Sequence, residues 1–159
     1  MTHVMRVRAS KRTSSGAAPL APALRRLVRA AVAARRRAYA PYSRFTVGAA
    51  VLAVGGAIYT GCNVEDASYG LTVCAERVAI HTAVAAGRRR LRVVAVAGAP
   101  GISPCGACRQ VMDEFGVETV ILVSPATEPV VLALRDLLPR PFARRAGSAP
   151  PREARRAGL

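Results

Sequence analysis

Two short segments, Cys74-Ala75-Glu76 and Pro104-Cys105-Gly106-Ala107-Cys108, decide how the rest of this 159-residue chain is arranged. They are separated by 27 intervening residues and together hold three of the four cysteines. An alanine-rich apolar run, 78–86, follows the first segment, and residues 105–115 also have a helical pattern. The sequence therefore predicts that each segment lies at the N-terminus of a helix, where unpaired N–H groups and the helix dipole favour thiolate over thiol.

Three thiolates occupy three corners of a tetrahedral zinc site and leave the fourth open, which distinguishes a catalytic zinc from a closed structural one. The predicted zinc ligands are Cys74, Cys105 and Cys108. Glu76 is too close in sequence to Cys74 to be a natural fourth ligand, but it is well placed to move protons at the open corner. Three thiolates give the site a surplus negative charge, so positive charge is expected nearby, and Arg77 and Arg109 directly follow the two ligand segments.

The residues alone leave two other interpretations of the cysteines open. Cys105 and Cys108 form a C-x-x-C pair, a spacing that lowers a thiol pKa and also serves redox chemistry. A closed structural zinc would need a fourth protein ligand, for which Cys62, His81 and His3 are the spare candidates. A lone cysteine is more typical of a small apolar packing residue, and a lone helical histidine of a surface or core position.

The net charge of +15 is concentrated at the two ends of the chain. Residues 1–37 carry ten basic and no acidic side chains, whereas residues 38–134 carry seven of each. Residues 1–18 and 143–159 lack a sustained apolar pattern, so we expect two disordered basic tails around one domain, 19–142. Lys11 is the one lysine among the 24 basic residues, and a genome rich in guanine and cytosine would encode such a preference for arginine. A second explanation for the first tail is a mitochondrial transit peptide, which has a similar composition.

Helix and strand patterns alternate along residues 19–142. Residues 19–38 have apolar positions three and four apart with arginines off that face, which predicts an amphipathic helix against a sheet. Gly55-Gly56 separates the apolar runs 46–54 and 57–60, a hairpin signal. Further strands are predicted at 91–98, 119–123 and 130–132, and a brief helix at 134–138. This alternation predicts an α/β fold, a three-layer α/β/α sandwich.

Membrane and secreted classes of protein do not fit the composition. No apolar run approaches the roughly 18 residues of a membrane span, and no secretory hydrophobic segment is visible. Thiols that bind a metal favour a reducing compartment, so a cytoplasmic location is expected. The central residues balance their charges, so contact with nucleic acid is expected only as non-specific binding by the basic tails.

The segments C-A-E and P-C-G-A-C-R-Q resemble those of the zinc-dependent cytidine deaminase family, specifically its short, three-cysteine, homotetrameric branch. The resemblance continues in family order through 39–50, 61–65, 67–70 and Leu137-Leu138-Pro139 with Phe142, and covers roughly residues 20 to 142. It implies a central mixed five-stranded sheet, one Zn²⁺ per subunit, a homotetramer and a small nucleoside substrate. In deaminases with this signature, zinc activates a water molecule and a glutamate that is not a zinc ligand transfers protons.

The resemblance also implies the residues that would bind substrate. They are Phe45, Asn63, Glu65, Tyr69, Ala75, Ser103 and Phe142. Asn63 and Glu65 alternate by two, so they face one way on an extended segment, and by resemblance they would bind the ribose hydroxyls. The N–H of Ala75 and the carbonyl of Ser103 would contact the pyrimidine edge, and Phe142 would reach a neighbouring subunit's substrate. Phe45 would pack on the substrate, Tyr69 would contact substrate or another subunit, Arg77 would offset the thiolate charge, and Glu76 would be the general acid and base.

The implied reaction is the hydrolytic deamination of free cytidine and deoxycytidine to uridine and deoxyuridine, with release of ammonia, as in pyrimidine salvage. Two alternatives share the zinc core: a blasticidin-S-type deaminase and a deaminase of bases in nucleic acid. A non-enzymatic zinc protein is a third. Two residues depart from the family pattern, because Asp66 stands where most relatives have asparagine and Pro141 directly precedes Phe142.

Overall fold

The computed structural model describes residues 20–125 and 127–142. The tails expected to be disordered, 1–18 and 143–159, lie outside these residues, so that expectation stays a prediction. The helices are α1 (Pro22–Arg35), α2 (Ala75–Ala85), α3 (Gly106–Glu114) and α4 (Leu134–Leu137). The strands are β1 (Gly48–Ala53), β2 (Ile58–Cys62), β3 (Leu91–Ala97), β4 (Thr119–Ser124) and β5 (Thr127–Ala133). Among the described helices, none has the length and apolar character needed to cross a bilayer.

The strands of the described residues form one sheet in the order β2-β1-β3-β4-β5. β3 and β4 are parallel, whereas the other three neighbouring pairs are antiparallel. The mixed five-stranded sheet is therefore confirmed. The predicted hairpin joins β1 to β2, and both glycines of its turn have positive φ, 98° at Gly55 and 89° at Gly56, a conformation that residues with a Cβ rarely adopt.

Helices cover both faces of the sheet, and each face has its own buried core. On one face, Leu27 and Ala31 of α1 pack against a cluster that includes Ala50, Ala95 and Ile121. On the other face, α2 and α3 pack against alternate residues of the same strands; this second cluster includes Ala49, Val51, Val94, Val96, Ala79 and Met112. Neighbouring strand residues point to opposite faces of a sheet. The consecutive apolar residues of these strands therefore contribute to both cores, and the result is the predicted three-layer α/β/α sandwich.

Element boundaries differ from the predictions by up to three residues, and two of the differences have a clear physical cause. The first helix runs from Pro22 to Arg35 and begins three residues later than predicted, because proline is favoured at the first helical position, where no N–H is needed. The last strand is longer than the predicted 130–132, since it runs from Thr127 to Ala133 with Pro129 inside it. Proline is tolerated there because β5 is an edge strand, so one side of it requires no ladder hydrogen bonds.

Helix α2, which follows Cys74, lies unusually close to the sheet at Gly61 of β2. A Cβ atom at Gly61 would be 2.4 Å from the Ala79 nitrogen and 2.6 Å from the Ala75 oxygen. Such distances are far below van der Waals contact, so only glycine allows this approach. The close packing fixes the first turn of α2 against the sheet, and with it the positions of Cys74 and Glu76.

Candidate metal centre and substrate pocket

The three predicted zinc ligands lie together where α2 and α3 begin. Cys74 and Cys105 are the N-cap residues of the two helices, and Cys108 lies in the first turn of α3. The Cys74 and Cys105 sulfurs are 3.9 Å apart, those of Cys105 and Cys108 are 3.5 Å apart, and all three lie within 4.8 Å of one another. Thiolates bound to zinc at about 2.3 Å in a tetrahedron are about 3.8 Å apart. The trio therefore fits a zinc ion with one position left open.

The spare ligand candidates do not complete this cluster. Cys62 is half-buried, and its Sγ donates a hydrogen bond to the Arg37 carbonyl at 3.2 Å. His81 is exposed on α2, and His3 lies outside the described residues. Within 20–125 and 127–142, the group able to hold a metal consists of the three cysteines alone.

Electrostatics around the thiols favours a charged Cys74. A hydrogen bond from the Cys108 thiol, with a further contribution from the Arg77 guanidinium, lowers the pKa of Cys74 to about 5. The same hydrogen bond and burial raise the pKa of Cys108. Arg77 donates from Nη2 to the Thr72 carbonyl at 3.1 Å, and its buried Nε has no partner among the described residues. That unpaired N–H beside a thiolate cluster is consistent with the predicted charge-balancing role of Arg77.

Glu76 is a buried carboxyl group in the first turn of α2, and only 4% of its surface is exposed. Burial raises its pKa to about 7, because water no longer stabilises the charged form. It lines the same cavity as Cys74 and Cys105. Its position beside the thiols, outside the ligand group itself, is the one expected for a residue that transfers protons.

A cavity of about 380 Å³ opens beside these groups, a size typical of small-molecule sites. It brings together six of the seven predicted substrate-binding residues, namely Phe45, Asn63, Glu65, Tyr69, Ala75 and Ser103. The seventh, Phe142, does not line it, and the Phe142 side chain is 80% exposed. Asp66 also lies outside the lining, and its Oδ1 accepts the Ser68 N–H at 2.7 Å, a bond that asparagine would make equally well.

Asn63 has a structural function that the sequence analysis missed. Its Oδ1 accepts the Val47 N–H at 2.8 Å, and its Nδ2 donates to the Phe45 carbonyl at 2.9 Å. These bonds hold the segment before β1, which carries Phe45, against the end of β2. Asn63 therefore fixes the main chain on one side of the cavity as well as lining it.

Glu65 holds the same loop slightly earlier in the chain. Its carboxylate accepts the N–H groups of Tyr42 at 2.9 Å and Ser43 at 3.2 Å, and also the Ser43 hydroxyl. The Ser43 hydroxyl bond, aided by the two N–H bonds and opposed by burial, lowers the pKa of Glu65. Ser43 was not predicted as a site residue, and no local sequence pattern indicates this bond, because Glu65 is 22 residues away.

Arg109 is placed differently from the expectation that it supplies charge to the thiols. Its guanidinium donates to the Pro104 carbonyl from Nε at 2.8 Å and to the Leu137 carbonyl from Nη1 at 2.8 Å. Nη2 donates to the Ser103 hydroxyl at 3.1 Å. Because these donors are directed at oxygen atoms, Arg109 holds together the loop before Cys105 and the segment after α4.

The part of the chain that forms the thiol cluster and the cavity matches a known protein family. The family model of the cytidine and deoxycytidylate deaminase zinc-binding region matches residues 22–124. The chain belongs to this family. It is 47% identical over 115 residues to the cytidine deaminase of Sporosarcina psychrophila, an alignment covering 70% of this chain and 85% of that one. With the cytidine deaminase of Halalkalibacterium halodurans the identity is 52% over 91 residues, covering 56% and 69% of the two chains.

The fold agrees with that assignment. The crystal structure of the cytidine deaminase from Burkholderia pseudomallei superposes with a TM-score of 0.71 at 49% identity, covering 74% of this chain and 98% of that one. Membership in the family, together with the three-thiol cluster, makes this protein a zinc-dependent deaminase, a hydrolase acting on C–N bonds.

Proposed function

We propose that the protein deaminates free cytidine and deoxycytidine to uridine and deoxyuridine in pyrimidine salvage. The observation that carries this proposal is the lining of the cavity. Thiols and the buried Glu76 carboxyl lie on one side, and Phe45, Asn63 and Glu65 lie on the other. Such a cavity offers a reactive position for a base together with polar groups for a sugar. The four cysteines form no disulfide, which supports a cytoplasmic location.

Cys74, Cys105 and Cys108 would hold the zinc ion, which would act as a Lewis acid and lower the pKa of water toward neutrality. Glu76 accepts a proton from the attacking water and delivers it to ring nitrogen 3 of the base, which makes carbon 4 electrophilic. The water oxygen adds to carbon 4, and Glu76 transfers the second proton to the amino group. The carbon–nitrogen bond then breaks, so one water is consumed and one ammonia is released for each uridine formed.

The sugar is held by groups that already order the loop. Glu65 accepts three hydrogen bonds from Tyr42 and Ser43, and a carboxylate has about four acceptor positions, so one remains for a hydroxyl. Asn63 uses one N–H and one oxygen lone pair, and its second N–H remains for the same purpose. The Ala75 N–H and the Ser103 carbonyl are the proposed contacts to the pyrimidine edge, with Phe45 packed on the substrate and Tyr69 in contact with the substrate or with another subunit.

A panel of substrates tests the proposed reaction. We expect loss of cytidine and of deoxycytidine absorbance, abolished by a zinc chelator and restored by added zinc. Blasticidin S, cytosine in an oligonucleotide and tRNA adenosine serve as the comparison substrates. Faster turnover of any of these than of both nucleosides would contradict the proposal and favour the corresponding alternative deaminase.

We also propose that the active form is a homotetramer in which Phe142 of one subunit contacts the substrate of another. The exposed Phe142 ring, which does not line the cavity of its own chain, supports this arrangement. Sedimentation coupled to an activity assay is expected to find activity only in the tetramer, and an active monomer would refute the shared site.

A further inference from the structure

The side chain of Gln110 makes two hydrogen bonds to the main chain of one residue, Phe142. Its Nε2 donates to the Phe142 carbonyl at 2.8 Å, and its Oε1 accepts the Phe142 N–H at 3.0 Å. Both groups of one peptide residue are thereby fixed, as they would be by a neighbouring β-strand. Gln110 lies in α3, two residues after the zinc ligand Cys108. The main chain of Phe142 is therefore held at a defined position relative to the metal centre.

Residues 137–142, which we name the C-terminal arm, are attached to α3 at both ends. Arg109 donates to the Leu137 carbonyl, and Gln110 binds Phe142 at the other end of the arm. These bonds hold the main chain in place although the Phe142 side chain is 80% exposed. Fixing the main chain of Phe142 in advance lowers the entropy cost of placing its exposed ring against a partner.

We propose that Gln110 is a positioning residue that orders the C-terminal arm so that Phe142 enters the cavity of a second copy of the chain. This inference rests on the shared site proposed above. Gln110 does not contact substrate in this arrangement; it acts on the active site of a neighbouring subunit through Phe142. Pro141 acts in the same direction, because proline fixes φ immediately before the residue that Gln110 binds.

The variant Gln110→Ala is expected to lower kcat/KM for cytidine about 10- to 100-fold, because misplacing a substrate-contacting group by about 1 Å has effects of this size. Zinc content should be unchanged, since Gln110 is outside the thiol cluster. Gln110→Glu keeps the acceptor for the Phe142 N–H but sets a carboxylate oxygen against the Phe142 carbonyl in place of the donor, so a loss at least as large as that of Gln110→Ala is expected. That variant also replaces Gln110→Ala in the mixing experiment if the alanine variant does not assemble.

Mixed oligomers separate an effect in trans from damage to the variant's own site. Gln110→Ala chains have an intact Glu76, and Glu76→Gln chains have an intact arm. We expect their mixed tetramers to be more active than the two separate preparations combined, because intact arms reach the competent cavities. Glu76→Gln chains that also carry Phe142→Ala are the matched control and should restore nothing. A parallel mixture of Phe142→Ala with Glu76→Gln tests the shared site itself.

The outcomes separate the positioning role of Gln110 from the shared active site to which Phe142 is proposed to contribute. Full activity of Gln110→Ala overturns the inference. Restoration of Phe142→Ala but not of Gln110→Ala overturns it too, because Gln110 would then act within its own subunit while the shared site stands. Failure to restore Phe142→Ala refutes the shared site and the inference with it. Restoration of both variants, with no further loss when Gln110→Ala is added to Phe142→Ala, supports both.

Discussion

Replacing Glu76 with glutamine is expected to lower turnover of cytidine by about 10²- to 10⁴-fold, the range typical for loss of a general acid and base. Glutamine has nearly the shape of glutamate and fits the same buried position, but it cannot accept and release protons. Zinc should remain bound, because the carboxyl group is not part of the thiol cluster. Thermal stability should not fall, since a neutral amide avoids the cost of burying a carboxylate. Steady-state absorbance assays and zinc analysis of the purified variant provide the measurement.

Glu114→Gln is the matched control for this variant. Glu114 is an exposed residue of α3, so the same chemical change there should leave turnover and zinc content as in the parent protein. Near-normal turnover of Glu76→Gln would show that another group moves the protons. Loss of zinc from Glu76→Gln would show instead that the carboxyl group supports the metal.

The sequence predicted the features that depend on local spacing. The zinc ligands lie within one or two residues of a helix start, so helix geometry alone brings Cys105 and Cys108 together. The alternation of helices and strands predicted the three layers, because burial on both faces of a sheet requires it. The mixed five-stranded sheet was expected from the family resemblance, and the strand order was not predicted, since periodicity contains no information about which strands are neighbours.

The interactions that the sequence did not predict join distant segments. Gln110 and Phe142 are 32 residues apart, and a glutamine on a helix surface has no pattern that indicates a main-chain partner. Asn63 and Glu65 were predicted to face one way, but their bonds to the loop before β1 depend on how that loop packs. Arg109 was expected near the thiols because it follows Cys108, yet its direction is set by the carbonyls around it.

Replacing Cys108 with serine is expected to abolish activity and to weaken zinc binding by more than about 100-fold, since loss even of a group that only supports a ligand costs about 10- to 100-fold. A serine hydroxyl does not ionise near neutral pH and is a poor zinc ligand compared with a thiolate. The variant should contain much less than one zinc per subunit. Cys62→Ser is the control, because Cys62 lies outside the thiol cluster and should retain zinc and activity.

A lower thermal midpoint of Cys108→Ser would not by itself identify a metal ligand, because Cys108 is fully buried in the core and its replacement also disturbs packing. The zinc-dependent part of the midpoint separates the two effects. Zinc bound to the folded state alone stabilises it more as free zinc rises, so the midpoint of the parent protein and of Cys62→Ser should increase with added zinc. The midpoint of Cys108→Ser should stay nearly constant over the same range. A zinc-dependent increase equal to that of the parent protein would exclude Cys108 from the ligand set and leave it a packing residue.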